Sequence, residues 1–164
     1  MNEGLSKAIP EILSLNPDLI VYHQIGKGNT NYYDSDYNGR LYVKEYFDKM
    51  YDISGAADLV ITRGGANTLG ELAMQGKATI IVPNPKLTGG HQIKNAEYLS
   101  SVQAALVLTE DELLNTKTVV AIINKTLNDR DLLMKLQQNI SNNIKHDAVE
   151  SVVDLIYKIN DKSI

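Results

Sequence analysis

Short apolar runs, "LIVYHQ" (Leu19–Gln24), "RLYVKEY" (Arg40–Tyr46), "DLVIT" (Asp58–Thr62), "TIIV" (Thr79–Val82) and "AALVL" (Ala104–Leu108), alternate with stretches whose apolar residues recur at helical spacing. Runs this short and this rich in β-branched and aromatic residues read as strands. The intervening segments Glu3–Leu13, Asp48–Gly55, Asn67–Gln75 and His91–Ser101 read as helices. In the first, Leu5, Ile9, Ile12 and Leu13 share one face, and Pro10 is a candidate kink or end. Strands alternating with helices through short connections predict a mostly parallel sheet covered on both faces, a Rossmann-like doubly wound α/β domain. From Glu110 onward the pattern is helical only. Thr109 is placed to cap "EDELLN", and helices are predicted over Thr116–Leu127, Asp129–Asn142 and His146–Asn160, a helical tail over about 110–164.

The chain has the length of one domain, 164 residues, and 43% apolar content is enough for one sizeable core. A net charge of −4, with lysines scattered among acids, gives no basis for nucleic-acid binding. The absence of cysteine excludes a disulfide framework and a thiolate metal site. His23, His91 and His146 stand apart from other ligand-type residues, so no metal site is expected. No nucleophile elbow or Ser/His/Asp order points to a hydrolase. No apolar run approaches the roughly 18 residues of a membrane span, so a soluble or at most peripheral protein is expected.

In open doubly wound sheets, ligands sit beyond the carboxyl ends of the strands, where strand order reverses. Two stretches fall at such ends. In "RGGANTLGE" (Arg63–Glu71) two adjacent glycines allow a tight turn and close approach of a ligand, and the new helix offers free N–H groups to an anion. The spacing matches neither a dinucleotide fingerprint nor a Walker loop. Thr68-x-x-Glu71 also has the form of a capping box, so Glu71 reads either as a cap or as a ligand group. Arg63 reads either as a phosphate contact or as half of a salt bridge at a strand end. In "VPNPKLTGGHQIKNAEYL" (Val82–Leu99) a Pro- and Gly-rich loop precedes a helix whose start holds His91, Gln92 and Asn95. An amide such as Gln92 both donates to and accepts from sugar hydroxyls. Lys27, within "GKG", is a solvated turn residue or a point charge for phosphate. Tyr32, Tyr33 and Tyr37 read as loop anchors, with no basic groove to make them a stacking platform.

Taken in order, "HQIGKGN", "VKEYFDKM", "AADLVITRGGANTLGELAMQGKATIIVPNP", "GGHQIKNAEYL" and "AALVLTEDEL" resemble the MurG family, bacterial glycosyltransferases of family 28 that move N-acetylglucosamine from UDP-GlcNAc to lipid-linked muramoyl-pentapeptide. The resemblance covers most of Ile20–Leu113. It implies the C-terminal, donor-binding half of a two-domain GT-B fold, so that residues 1–164 form one UDP-sugar-binding domain. Carried over by position, Phe47 presents backbone to the uracil ring, with Met50 nearby. The segment Gly65, Ala66, Asn67, Thr68 lies at the nucleotide and phosphates. Glu71 holds the ribose hydroxyls, and Gln92, preceded by His91, contacts the sugar, with Asn95 in the same helix. Arg63 and Lys27 are the available cations. No cofactor is implied.

The same resemblance locates departures. Family members enter the first helix through a strand and a glycine-rich loop, where this sequence has Met1, and an acceptor domain precedes them. The expectations are therefore a truncated first strand, an open sheet edge that invites dimerisation, and an acceptor domain supplied in cis or in trans. The chain alone is expected to bind UDP or UDP-GlcNAc weakly and to transfer nothing. In the full-length context the family works at the cytoplasmic face of the cell membrane in peptidoglycan synthesis, with roles in cell shape and division. Two alternatives remain: the donor subunit of a two-chain polysaccharide or dolichol-type GlcNAc transferase, and a non-catalytic nucleotide-sugar-binding domain.

Overall fold

The computed structural model describes residues 1–30, 32–86 and 89–143. The helix expected over His146–Asn160 lies outside the described residues. The order of elements is α1 (Asn2–Leu15), β1 (Val21–Gln24), β2 (Leu41–Lys44), α2 (Met50–Ala56), β3 (Leu59–Thr62), α3 (Ala66–Met74), β4 (Ala78–Ile81), α4 (His91–Ser101), β5 (Leu106–Val107), α5 (Glu110–Leu114), α6 (Thr116–Asn128) and α7 (Arg130–Asn142). All strand pairings are parallel, as the alternating pattern predicts.

The strands do not form one sheet. Among the described residues β1 pairs only with β2, Val21 opposite Leu41, and β3, β4 and β5 form a second sheet with Leu59 opposite Ala78 and Ile80 opposite Leu106. Helices cover both faces of the second sheet because side chains alternate along its central strand. Ile80 and Val82 enter one apolar cluster with Leu5, Ile9, Ile12 and Leu13 of α1 and Val119 and Ile123 of α6. Ile81, between them, enters another with Leu69 and Ala73 of α3, Ala96 and Leu99 of α4 and Ile140 of α7. Among the described residues the first sheet is covered on one face only. On the other, Tyr22 and Tyr42 stack with ring centres 4.9 Å apart and remain roughly half exposed.

Pro10 does not end α1, which runs on to Leu15. A proline inside a helix costs about 3 kcal/mol. Residues flanking it, Ile9, Ile12 and Leu13, are almost wholly buried, and burying a large aliphatic side chain returns about 1.5–3 kcal/mol each. The helix is then closed by Asn16, whose N–H bonds Ile12 O, and by Arg40, whose guanidinium donates to Leu13 O and Asn16 O. At the other end of the chain the polar side chains act as the sequence suggests. Thr109 and Glu112 form a reciprocal capping box on α5, while Asn115 and Asp129 cap α6 and α7.

His23, on β1, is 5% exposed, with Nδ1 2.7 Å from the Tyr33 hydroxyl and Nε2 without a hydrogen-bond partner among the described residues. Burial, helped by the positive charge at the chain start, pushes its pKa down to about 4 from the ordinary 6.5. Tyr33 is thus a buried anchor, and the same burial pushes its phenol pKa up. A histidine depressed in the folded state leaves the unfolded chain binding more protons between the two values, so its contribution is present above pH 6.5 and is lost as pH falls toward 4. Urea unfolding at pH 7 and at pH 5 is expected to show a stability loss of about 1–3 kcal/mol. His23→Gln removes most of that slope, and an unchanged slope in the variant would place the titration elsewhere.

Candidate functional site

β3 and β4 each end in a glycine-containing loop that feeds a helix, and the two loops meet. Asn95 Nδ2 on α4 donates to Gly64 O at 3.2 Å, and Gln92 Oε1 accepts from Asn84 N at 3.0 Å. Gly64 has φ +89°, and a Cβ there would lie 2.8 Å from Ile81 Cγ2 and 3.5 Å from Gln92 O. A side chain at this position would therefore have to displace β4 or α4. Gly65 differs: its φ is −64°, and an added Cβ would meet nothing within 4 Å. The first glycine of the pair serves packing, whereas the second leaves backbone open at the mouth of α3.

Neither helix at this corner carries a side-chain cap. The N-caps are Gly65 for α3 and Gly90 for α4, and neither first turn holds an acid. The leading N–H groups of both helices thus have no partner within the helix, and each helix adds roughly half a positive charge at its start. α5, α6 and α7 have side-chain caps, whereas α1 and α2, like α3 and α4, have none. What sets this corner apart is that two uncapped starts converge on it, which polarises it toward an anion.

The capping-box reading of Thr68 and Glu71 is corrected by the helix start. α3 begins at Ala66, so Thr68 lies inside its first turn and is not the cap residue. Glu71 is exposed one turn along, and its carboxylate makes no hydrogen bond or ion pair with the described residues. Its carboxylate is available to a ligand. Arg63 takes the structural side of its two readings: Nη1 lies 2.7 Å from Glu110 Oε1, with the two side chains about one-third exposed. The guanidinium holds the Glu110 carboxyl below the usual carboxylate range. Much of the Arg63 charge is consequently already answered.

The structure brings Gly65, Ala66, Asn67, Thr68, Gln92 and Asn95 to this corner, with Glu71 on the same helix. Ala66, Asn67 and Thr68 are exposed on the first turn of α3. His91 opens α4 and is exposed, with its ring against Gly89. Phe47 and Met50 lie after β2, Met50 as the first residue of α2. Phe47 is buried against Tyr22, with Lys44 Nζ over its ring at 5.6 Å. Those two residues join the corner only through α2, whose Ser54 and Tyr51 bond Gln75 past the end of α3. Lys27 sits exposed in the turn after β1.

Three positioning residues are absent from the sequence reading. Gln24 Oε1 accepts the Phe47 N–H at 2.9 Å, Asn84 N anchors Gln92, and Glu110 pairs with Arg63. Each acts across a chain separation that local pattern does not report. Gln24 falls in "HQIGKGN", Asn84 in the loop before α4 and Glu110 in "EDELLN", stretches that the sequence reading singles out without assigning these residues a role.

The chain matches the family described as Glycosyltransferase family 28 C-terminal domain over residues 2–155. A curated relative from Natranaerobius thermophilus, named as UDP-N-acetylglucosamine–N-acetylmuramyl-(pentapeptide) pyrophosphoryl-undecaprenol N-acetylglucosamine transferase, is 36% identical over 84% of this chain and 39% of its own length. A relative of the same name from Psychromonas ingrahamii is 35% identical over 92% of this chain and 44% of its own length. The crystal structure of Acinetobacter baumannii MurG superposes with a TM-score of 0.73 at 27% identity, covering 95% of this chain and 46% of that one. The chain thus spans well under half the length of these relatives.

The two glycines give a direct contrast in urea unfolding. Gly64→Ala is expected to lose about 2–4 kcal/mol, from left-handed strain and overpacking on Ile81. Gly65→Ala should stay within about 1 kcal/mol of the parent, the scale of a helix-cap change. Equal losses in the two variants would refute the division of roles.

Proposed function

The chain belongs to the Glycosyltransferase family 28 C-terminal domain family, and from that premise we propose that it is the donor-binding half of an inverting N-acetylglucosaminyltransferase, taking UDP-GlcNAc for transfer to lipid-linked muramoyl-pentapeptide in peptidoglycan synthesis. The observation that carries the reading is the pair of uncapped helix starts at Gly65 and Gly90, held together by the Asn95–Gly64 bond. Unpaired N–H groups with a favourable dipole suit a diphosphate, and they suit it better as charge builds on the departing UDP.

The side chains around that corner divide the rest of the donor between them. The Glu71 carboxylate is placed to accept both ribose hydroxyls, a role only an acceptor-only group fills in a bidentate way. Gln92 has its Oε1 committed to Asn84 N, so its free amide N–H groups face outward as donors to a sugar hydroxyl. Phe47 has its N–H committed to Gln24, so its carbonyl is the backbone group left to accept from the uracil imide N–H. His91, Asn67 and Thr68 line the approach, and Met50 lies beside the base. Lys27 serves as a distant point charge.

The domain on this reading orients the donor and stabilises the leaving group, while a general base on an acceptor domain deprotonates the incoming hydroxyl. No helix among the described residues is long and apolar enough to cross a membrane. Contact with the lipid-linked acceptor, at the cytoplasmic face of the cell membrane, is accordingly assigned to that other domain.

Titration calorimetry with UDP tests the donor reading, and radiolabelled transfer tests the division of labour. Glu71→Gln should weaken UDP about tenfold or more, the worth of a charged hydrogen bond, while leaving urea stability within about 0.5 kcal/mol. UDP affinity equal in parent and variant would remove Glu71 from the site. The purified chain is expected to transfer no sugar without an acceptor domain, and transfer by the chain alone would overturn the half-site assignment.

A further inference from the structure

Beyond the carboxyl ends of β3, β4 and β5 one carboxylate lies within the field of two side-chain cations. Arg63 follows the last residue of β3, Lys86 lies in the loop after β4, and Glu110 is the first residue of α5, just past β5. Arg63 Nη1 reaches over the end of β4, 3.4 Å from Val82 O, and lies 2.7 Å from Glu110 Oε1. Through that hydrogen bond and then through its charge, Arg63 holds the Glu110 carboxyl below the usual range, with smaller contributions from the Met1 nitrogen and Lys86.

The geometry of the pair is that of a loose hold and not of a clamp. Both contacts use Nη1 alone, so the Nε–Nη2 edge of the guanidinium makes no hydrogen bond with the described residues. The strongest arginine–carboxylate pairs use two parallel N–H groups, and this one uses a single nitrogen. Both side chains are about one-third exposed, where solvent screens an ion pair and leaves it weak. The helix that carries Glu110 does not depend on it. α5 is capped by the reciprocal Thr109–Glu112 box, and Asp111 adds a further acid to its first turn. Arg63, for its part, is tied to the proposed donor corner. Gly65, two residues on, is the uncapped start of α3, so the guanidinium hangs from the same turn that offers main-chain N–H groups to an anion.

We propose that Glu110 is an exchangeable counter-ion for Arg63: it holds the guanidinium before the donor binds, gives it up to the diphosphate of the nucleotide sugar, and reclaims it as UDP leaves. The proposal rests on the donor-binding reading above and adds a residue to it. Glu110 touches no part of the donor and acts only through Arg63, as a positioning residue. A diphosphate carries more charge than one carboxylate and presents oxygens to two parallel N–H groups, so it prevails over Glu110 while bound. Exchange of one anionic partner for another keeps the guanidinium paired throughout, so no lone charge is left beside the closing site. As a standing competitor the carboxylate weakens UDP binding and speeds UDP release, and it does so only for ligands that carry phosphate. Uridine has the base and the ribose but does not contest Arg63.

Titration calorimetry and stopped-flow dissociation test the exchange in the full 164-residue chain, as parent, Glu110→Gln, Arg63→Gln and the double variant, with uridine, UDP and inorganic pyrophosphate as ligands. Glu110→Gln keeps a hydrogen-bonding oxygen near Arg63 and removes the charge, and urea midpoints equal to the parent's show that each variant is folded. It should bind UDP about tenfold tighter and release it correspondingly more slowly, the scale of one charge-assisted hydrogen bond, while uridine affinity changes less than about twofold. In the Arg63→Gln background the same substitution should change UDP affinity less than about threefold, the residue of a screened general repulsion. No gain for UDP, a loss, or an equal change for uridine and UDP marks a structural carboxylate and overturns the exchange. So does a full tenfold gain that persists without Arg63, which is repulsion acting directly on the ligand. If the parent binds no UDP, the donor reading fails, and pyrophosphate then decides the exchange by itself. Tighter pyrophosphate binding by Glu110→Gln than by the parent, present only with Arg63, supports it, and equal binding or none overturns it.

Discussion

Helix α1 is the element on which both sheets depend. Its buried stripe, Leu5, Ala8, Ile9, Ile12 and Leu13, is the surface against which β1–β2 and β3–β4–β5 are jointly packed. Its last turn is tied by Arg40 to the start of β2, and its first residues lie between the ends of β1 and β3. With no strand-to-strand bonds joining the two sheets, this shared apolar contact holds them in a common frame. Hydrophobic packing fixes distance but is non-directional, whereas a ladder fixes register. The alignment of the strand-end corner with the Phe47 loop combines that packing with the bonds of Ser54 and Tyr51 on α2 to Gln75 at the end of α3.

Local chemistry was the legible part. α4 was read with both ends correct because Gly90 and a polar first turn mark its start. Thr109 announced the start of α5 because capping depends on the residue and its immediate neighbours; by the same chemistry Asn115 and Asp129 cap α6 and α7, though the sequence reading gave Asn115 no role and made Asp129 the first helical residue. The same rule misled at Thr68 and Glu71. A threonine three residues ahead of a glutamate looks identical whether it precedes a helix or sits in its first turn, and here Gly65 had already opened α3. Of the two readings of Pro10, the helix end gave way for the opposite reason, since tertiary burial on both sides of it overrode a local preference.

What stayed hidden was pairing. Nothing in the runs themselves says that β1 chooses β2 or that β3 has a bare edge, because strand order is a property of the whole chain. The single open edge expected from the sequence is, in three dimensions, a break between two ladders. The residues that orient the proposed donor contacts were hidden likewise. Gln24, Asn84 and Glu110 look unremarkable in sequence, yet they decide which atoms of Phe47, Gln92 and Arg63 remain free. A family resemblance transfers residue names, and only the hydrogen-bond pattern says which of their atoms are already spent.

That pattern also changes where the positive potential of the corner originates. With Arg63 paired to Glu110 and Lys27 exposed in a separate turn, the attraction that the proposed donor site offers a diphosphate rests on main-chain N–H groups at two helix starts, with Lys86, in the loop after β4, as a side-chain cation near Glu110. A side-chain cation can follow a ligand that shifts by an ångström, but a helix start cannot. Its field falls off within the first turn and is aimed by the packing of the whole helix. Precision is consequently stored in the core contacts behind the corner: Ile81 against Gly64, Asn95 on Gly64 O, and Leu69 and Ala73 against Ile81 and Leu99. A chain with net charge −4 can in this way hold an anionic donor without a basic patch, provided those contacts keep α3 and α4 in place.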